Sequence, residues 1–267
     1  MTEDFPWTAV GRPAATAPSG ANAPRLVARE RRRPICFGVA EPALIDLERI
    51  LAPWHLRPWP RPTAPQPVAF VFSRCPGNWE DEPTANEGLL SLAADLHRSG
   101  LARRIAIPGT GADRGPETTT YQGCTVWGRA LEALGVPREA LVLVPGEGAH
   151  TRTEGDDFVR LARERGWRDA LILMNPHETL RVMLGLLVSF RLFDHPMRAT
   201  PVTPAATDWN RVVYGSQGAL ELPRAHHILE EARRVVGYQA KGDLASLDDL
   251  DRYYREVLGI ASPVPPR

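Results

Sequence analysis

Short apolar runs alternate with longer amphipathic segments through the middle of the chain, and this rhythm constrains the fold more than any other feature. The apolar runs read VAFVFS, RIAIPG, ALVLVPG and DALILM, and segments such as NEGLLSLAADLHRSG and ETLRVMLGLLVSF follow them at helical spacing. Strands that alternate with helices form parallel sheets covered on both faces. The sequence therefore predicts a Rossmann-like α/β fold, with RATPVTP as a fifth strand at the sheet edge.

The rhythm is absent from both ends of the 267-residue chain, which predicts three regions. Residues 1–34 are rich in Pro, Ala and Arg without any period, and are expected to form a flexible arm. Residues 35–205 are predicted to be the α/β domain, opening with a helix over PALIDLERILAPW. Residues 206–267 are predicted to form a strand-poor helical region on or beside the sheet.

Bulk composition argues against several partners. Lys and Arg together number 32, as do Asp and Glu, so there is no net charge to favour nucleic acid or an anionic membrane. The three cysteines are far apart and odd in number, which does not suit a disulfide framework. The N-terminus shows no signal-peptide pattern, and we expect a cytoplasmic location. The oligomeric state is left open.

Polar residues and glycines follow each predicted strand. In an open parallel sheet, ligands bind beyond the carboxyl ends of the strands, so these positions are the candidate ligand contacts. In chain order they are Ser73, Arg74, Gly109, Thr110, Gly111, Glu117, Thr153, Glu154, Asn175 and Arg181.

Gly109 and Gly111 bracket Thr110 directly after a predicted strand. Glycine lets the backbone approach a phosphate, carboxylate or ribose closely, although a plain turn explains the same residues equally well. Glu117 follows Pro116, which is also typical of a helix start. Thr151 and Glu154 have the spacing of a capping box, so the alternative to ligand binding there is a helix cap.

The fourth predicted strand ends in Asn-Pro-His-Glu. Asn175 and Glu178 have the spacing of a capping box with Pro176 between them. His177 would lie in the first helical turn as a neutral imidazole, and Arg181 would share its helix face. Such a pair provides a proton acceptor or donor and a cation for a carboxylate or phosphate. The alternative is a cap with a surface pair of Glu178 and Arg181.

Metal and nucleophile signatures are absent from the sequence. There is no HExxH, no GxSxG and no cluster of metal ligands, so no metal is expected. His226 and His227 are adjacent in a predicted helix and should point apart, which indicates structural roles. The candidate acid–base residues are His177 and Glu117.

Several motifs together resemble the YdcF branch of the SanA/ElyC/YdcF family, a bacterial domain of unknown function. They are IPGTG with Glu117 after it, GVPREALVLV, TRTEGDD, MNPHETLRV and the later YGSQGALELPRAHHILEEARRVVGYQAKGDL. The resemblance covers about residues 40 to 250. Two positions depart from the family: its Gly-rich first turn is replaced by FSRCPGNW, and Gly155 stands where the family has Asn.

The resemblance implies a Rossmann-like domain with a small helical domain, and a nucleotide-like ligand with S-adenosylmethionine favoured. No reaction is established for this branch, and a transferase is the enzymatic reading. Under this hypothesis Glu117 and Glu154 hold ribose hydroxyls or an amino group, and Arg181 holds a carboxylate or phosphate. Two other classes remain open: a non-catalytic interaction protein, and an envelope-linked hydrolase or transferase acting on a phosphorylated carrier.

Overall fold

The computed structural model describes Trp54 and residues 62–72, 88–110, 123–146, 150–204, 207–214 and 221–261. The predicted N-terminal arm lies outside these residues, as does the predicted helix before Trp54. The proposed division at residues 34 and 205 stays a prediction.

The centre of the fold is a five-stranded parallel sheet, which confirms the predicted α/β class. Its strands are β1 (Ala69–Val71), β2 (Ile105–Pro108), β3 (Leu141–Val144), β4 (Asp169–Leu173) and β5 (Arg198–Val202). Their spatial order is β3-β2-β1-β4-β5, and every neighbouring pair is parallel. The order reverses direction at β1, so the switch point lies between β1 and β4.

Helices follow the strands as the apolar spacing predicts. They are α1 (Leu89–Arg98), α2 (Cys124–Ala133), α3 (Thr151–Arg165) and α4 (Thr179–Leu192). Short 3-10 turns at Arg138–Ala140 and Pro176–Glu178 precede β3 and α4. No helix within the described ranges is both long enough and apolar enough to cross a membrane.

The two faces of the sheet carry separate apolar cores, because successive strand residues point to opposite faces. Ala69 and Val71 belong to the core shared with α1 and α2. Phe70 and Phe72 belong to the core shared with α3 and α4, where the rings of Phe70 and Phe158 stack with centroids 4.4 Å apart. Both faces of β1 are therefore fully buried, which explains its continuous apolar sequence.

The C-terminal region adds α5 (His227–Ala240) and α6 (Leu247–Glu256), as expected from its helical spacing. It also contains an antiparallel pair that the sequence prediction missed, β6 (Val212–Tyr214) with β7 (Glu221–Pro223). Each of these strands has only three residues, too few to show a period. A 3-10 turn at Arg224–His226 leads from β7 into α5.

Tyr253 of helix α6 forms hydrogen bonds with backbone groups of β5 and the residue before it. The Ala199 amide donates to the Tyr253 hydroxyl at 2.7 Å, and that hydroxyl lies 3.0 Å from the Met197 carbonyl oxygen. Burial raises the pKa of Tyr253 far above its ordinary value, so the phenol keeps its proton and can donate. One side chain thus satisfies backbone groups that an edge strand would otherwise expose.

Candidate functional site

The carboxyl ends of β2, β3 and β4 bring together part of the predicted set. Gly109, Thr110, Thr153, Glu154 and Asn175 all lie at this edge or in the elements that begin there. Four predicted contacts lie outside the described residues: Ser73, Arg74, Gly111 and Glu117. Their ligand roles stay predictions.

A small crevice opens at the ends of β2 and β3, and among the described residues it has room for about one water molecule. Its apolar floor is formed by Phe70, Pro108 and Val144. Its polar lining consists of Thr110, Glu154 and Asp157, with Gly146 beside them. Of these, the sequence reasoning identified Thr110 and Glu154; it missed Asp157, which lies one helical turn beyond Glu154 on the same face of α3.

The Thr110 hydroxyl is the least satisfied polar group of this crevice. Its oxygen is buried and makes no hydrogen bond with any of the described residues. The backbone around it is fixed, because the Thr110 carbonyl accepts a hydrogen bond of 3.0 Å from the Cys124 amide at the start of α2. Buried hydroxyls in folded proteins nearly always have a partner, so an unpartnered one requires an explanation.

Gly109 is required by the packing of two neighbouring strands. Its amide donates to the Val144 carbonyl at 2.8 Å, and a Cβ atom at this position would lie only 2.8 Å from the same oxygen. A larger residue would therefore push β2 and β3 apart at the crevice. This gives Gly109 a structural role, and its contact with a ligand stays a prediction.

The first turn of α3 differs from the predicted capping box. The N-cap is His150, not Thr151, and its side chain makes no cap hydrogen bond. The Thr153 hydroxyl donates to the His150 carbonyl at 2.9 Å. Thr151 is the first residue of the helix and not its N-cap, and its hydroxyl accepts a hydrogen bond of 2.5 Å from Arg181. The sequence has the spacing of a capping box, but the Thr151 hydroxyl oxygen accepts a hydrogen bond from Arg181 of α4 and caps no amide.

The turn after β4 also departs from a simple capping box. Pro176 occupies the first position of a 3-10 turn, as predicted. The Asn175 side chain does not cap this turn; its amide donates to Glu178 Oε2 at 3.1 Å. Thr179 instead donates its hydroxyl to the Pro176 carbonyl at 3.0 Å. Asn175 therefore positions the Glu178 carboxylate.

Four charged side chains form an ion-pair network, in which Glu178, Arg181 and Glu231 are buried and Arg234 is half-buried. Arg181 Nε donates to Glu231 Oε2 at 2.5 Å, and its Nη2 lies 3.4 Å from Glu178 Oε1. Arg234 donates to Glu231 Oε1 at 2.5 Å. The predicted alternative of a surface Glu178–Arg181 pair is wrong in one respect: the pair exists, but their side chains are only 1% and 8% exposed.

Charge stabilisation within this network outweighs the cost of burial. Burial alone would raise the pKa of Glu231, but the charges of Arg181 and Arg234 hold that pKa well below its ordinary range. Burial would likewise lower the pKa of Arg181, yet Glu231 and Glu178 raise it above its ordinary value. The donors of Arg181 are thus directed to protein groups, and its predicted contact with a ligand anion would require an exchange of partners.

Two buried histidines stack beside the network. The rings of His177 and His227 have centroids 5.3 Å apart and are inclined by 30°. The His227 Nε2 donates to the Val213 carbonyl at 2.9 Å, which ties α5 to β6. His226 is exposed and His227 is buried, so the expectation that they point apart is confirmed. His227 and Glu231 are four residues apart on one face of α5, and the spacing in HHILEEARR does not by itself indicate that His177 lies beside them.

Within the described ranges, no group of three or more His, Cys, Asp or Glu side chains is arranged to hold a metal ion. Comparisons of the chain with protein-family models, with curated proteins and with solved structures find no match. The resemblance to the YdcF branch therefore stays a prediction that rests on the motifs quoted above.

Proposed function

We propose that this protein binds a nucleotide-like small molecule at the carboxyl ends of its parallel strands, with S-adenosylmethionine as the favoured ligand. The crevice at the ends of β2 and β3 forms the described part of this site. Transfer of a group from that ligand is the enzymatic form of the proposal. A cytoplasmic location is proposed with it, on the three widely spaced cysteines, which do not suit a disulfide framework, and on the free, buried Cys124.

The observation that carries the proposal is the hydroxyl of Thr110, which has no hydrogen-bond partner among the described residues. It is a buried donor and acceptor that lines the crevice beside Glu154. A ligand hydroxyl or amino group placed there would provide the hydrogen-bond partner for the Thr110 hydroxyl, next to the Glu154 carboxylate.

The acidic lining favours S-adenosylmethionine over a nucleoside triphosphate. Glu154 and Asp157 both line the crevice, and Glu154 is only 3% exposed. Carboxylates in such a setting attract ammonium and sulfonium groups and repel phosphates. Glu154 would hold the ribose hydroxyls or the amino group of the ligand, and Thr153 would contribute at the same helix start.

The remaining predicted contacts belong to the same proposal. Ser73, Arg74, Gly111 and Glu117, which follow β1 and β2 in the sequence, would contribute further ligand contacts. Catalytic roles for His177 and Glu117 stay predictions. The His177 side chain is 1% exposed and stacks on His227, so a role in proton transfer requires that ligand binding open this part of the edge.

Calorimetric titration of the purified protein with S-adenosylmethionine tests the proposal, with S-adenosylhomocysteine and ATP as controls. We expect saturable binding of S-adenosylmethionine, weaker binding of S-adenosylhomocysteine because it lacks the sulfonium charge, and no binding of ATP. The substitution Thr110→Val should weaken binding by roughly threefold to tenfold, the range of one neutral hydrogen bond. Absence of heat for all three ligands at several temperatures would overturn the assignment.

A further inference from the structure

The C-terminal helix α5 is joined to the crevice by two hydrogen bonds of Arg181 and by the first turn of α3. Glu231 on α5 accepts from Arg181 Nε at 2.5 Å. Arg181 lies in the first turn of α4 and donates from Nη1 to the Thr151 hydroxyl, also at 2.5 Å. Thr151 is the first residue of α3, and Glu154 of the same first turn lines the crevice.

The first turn of α3 depends on these contacts because it lacks a side-chain cap. The His150 side chain makes no cap hydrogen bond, so it does not accept a hydrogen bond from any amide of the first turn. Two arginine contacts join this turn to α4 instead: Arg181 donates to Thr151, and Arg152 donates to the Ser189 hydroxyl at 2.9 Å. Side-chain contacts with α4 therefore fix the position of the first turn of α3.

The geometry of Arg181 in turn depends on Glu231. A helix N-terminus repels a cation, so the guanidinium beside Thr151 needs a neutralising partner. Glu231 is the main partner that neutralises this charge, because its carboxylate accepts a hydrogen bond from Arg181 Nε and lies 3.5 Å from Nη2. Glu178 contributes a longer contact of 3.4 Å, and Arg234 holds the second oxygen of Glu231 in place.

We propose that Glu231 is a positioning residue for the crevice, which acts through Arg181 and Thr151 to fix the first turn of α3 and with it the carboxylate of Glu154. This makes the C-terminal region part of the binding site, although none of its described residues lines the crevice. The effect on ligand affinity rests on the proposed function; the effect on the helix does not.

The test is amide hydrogen exchange of the full-length protein across residues 150–156, with calorimetric titration of S-adenosylmethionine on the same variants. Thr151→Val removes the hydroxyl that Arg181 binds, and Thr151→Ser retains it. Glu231→Gln keeps the shape of the side chain and removes its charge. We expect Thr151→Val and Glu231→Gln to speed exchange in this turn by about tenfold and to weaken binding by a similar factor, with Thr151→Ser close to wild type.

Tyr253→Phe is the control for a general loss of stability, because it removes the hydrogen bond to the Ala199 amide, in which no residue of the network takes part. It should leave both the exchange of the first turn and the affinity unchanged. Unchanged exchange in Thr151→Val overturns the proposal, even if Glu231→Gln does not fold. Faster exchange with unchanged affinity also overturns it. No binding by the wild-type protein rejects the proposed function alone, because the exchange results still decide whether Glu231 positions the helix.

Discussion

Thr110 and Thr151 both lie at the carboxyl edge of the sheet, yet their hydroxyls have different surroundings. The Thr151 hydroxyl accepts a hydrogen bond from Arg181 and is part of a contact chain that reaches α5. The Thr110 hydroxyl is buried in the crevice without a partner among the described residues. The ion-pair network is thus complete within the protein, whereas the crevice keeps an unused polar group. We infer that the network supplies rigidity and that the crevice supplies binding capacity.

Removal of Arg181 should have the largest effect on stability. Arg181→Ala leaves Glu231 buried with only Arg234 to balance it, and loss of one partner from a buried pair costs about 3–5 kcal/mol. Urea unfolding measures this loss. Arg255→Ala is the matched control, because its pair with Asp251 is at the surface and should contribute about 0–1 kcal/mol. Equal losses in the two variants would show that the network does not stabilise the fold.

Thr151→Val should have the next largest effect. It removes an acceptor from a charged donor, and hydrogen bonds of this kind contribute about 1.5–3 kcal/mol. Thr151 is half-buried, so we expect about 1.5 kcal/mol from urea unfolding. Thr151→Ser, which keeps the hydroxyl, should lose much less. If serine and valine are equally destabilising, the methyl group rather than the hydrogen bond stabilises this turn.

Acid should weaken the network through Glu231. Its pKa is lowered in the folded state from an ordinary value of 4.5, so its contribution is complete above that value and is lost as the pH falls below it. The slope from this one group is at most about 1.4 kcal/mol per pH unit. Urea unfolding of the wild type and Glu231→Gln between neutral pH and about pH 3 should show a flatter dependence for the variant. Parallel curves would contradict the assignment.

Thr110→Val should have the smallest effect on stability and still alter the crevice. The hydroxyl has no hydrogen bond to lose within the described residues, so the free energy of unfolding should change by less than about 0.5 kcal/mol. Thermal and urea unfolding measure this directly. A loss as large as that of Thr151→Val would mean that the Thr110 hydroxyl has a partner in the free protein, and would end the contrast between the two threonines.

The sequence predicted the sheet because the signals for it are local. Four continuous apolar runs and the helices between them follow from burial of both sheet faces, and RATPVTP correctly indicated the edge strand β5. The β6–β7 pair was missed because its three-residue strands are too short for a period to show. The predicted helix near Trp54 lies outside the described residues and stays a prediction.

The site was harder to predict because its partners are distant in sequence. The pattern of NPHE predicted that Asn175 and Glu178 interact. It did not predict that Arg181 would pair with Glu231, which lies 50 residues further along the chain. The capping-box spacing of Thr151 and Glu154 was present without the cap, since nothing local reveals that a guanidinium from α4 arrives there. Local spacing indicates which groups are available, and tertiary packing determines what they bind.

The hydroxyl of Tyr253 has a consequence for association between molecules. By bonding the amide of Ala199, it uses a backbone donor through which a strand from another copy could add to β5. Growth of the sheet on that side would first require the hydrogen bond between Tyr253 and Ala199 to break. Tyr253 thus reduces the tendency of β5 to pair with a strand of another molecule. Loss of its hydrogen bond would expose the Ala199 amide as a donor for such pairing.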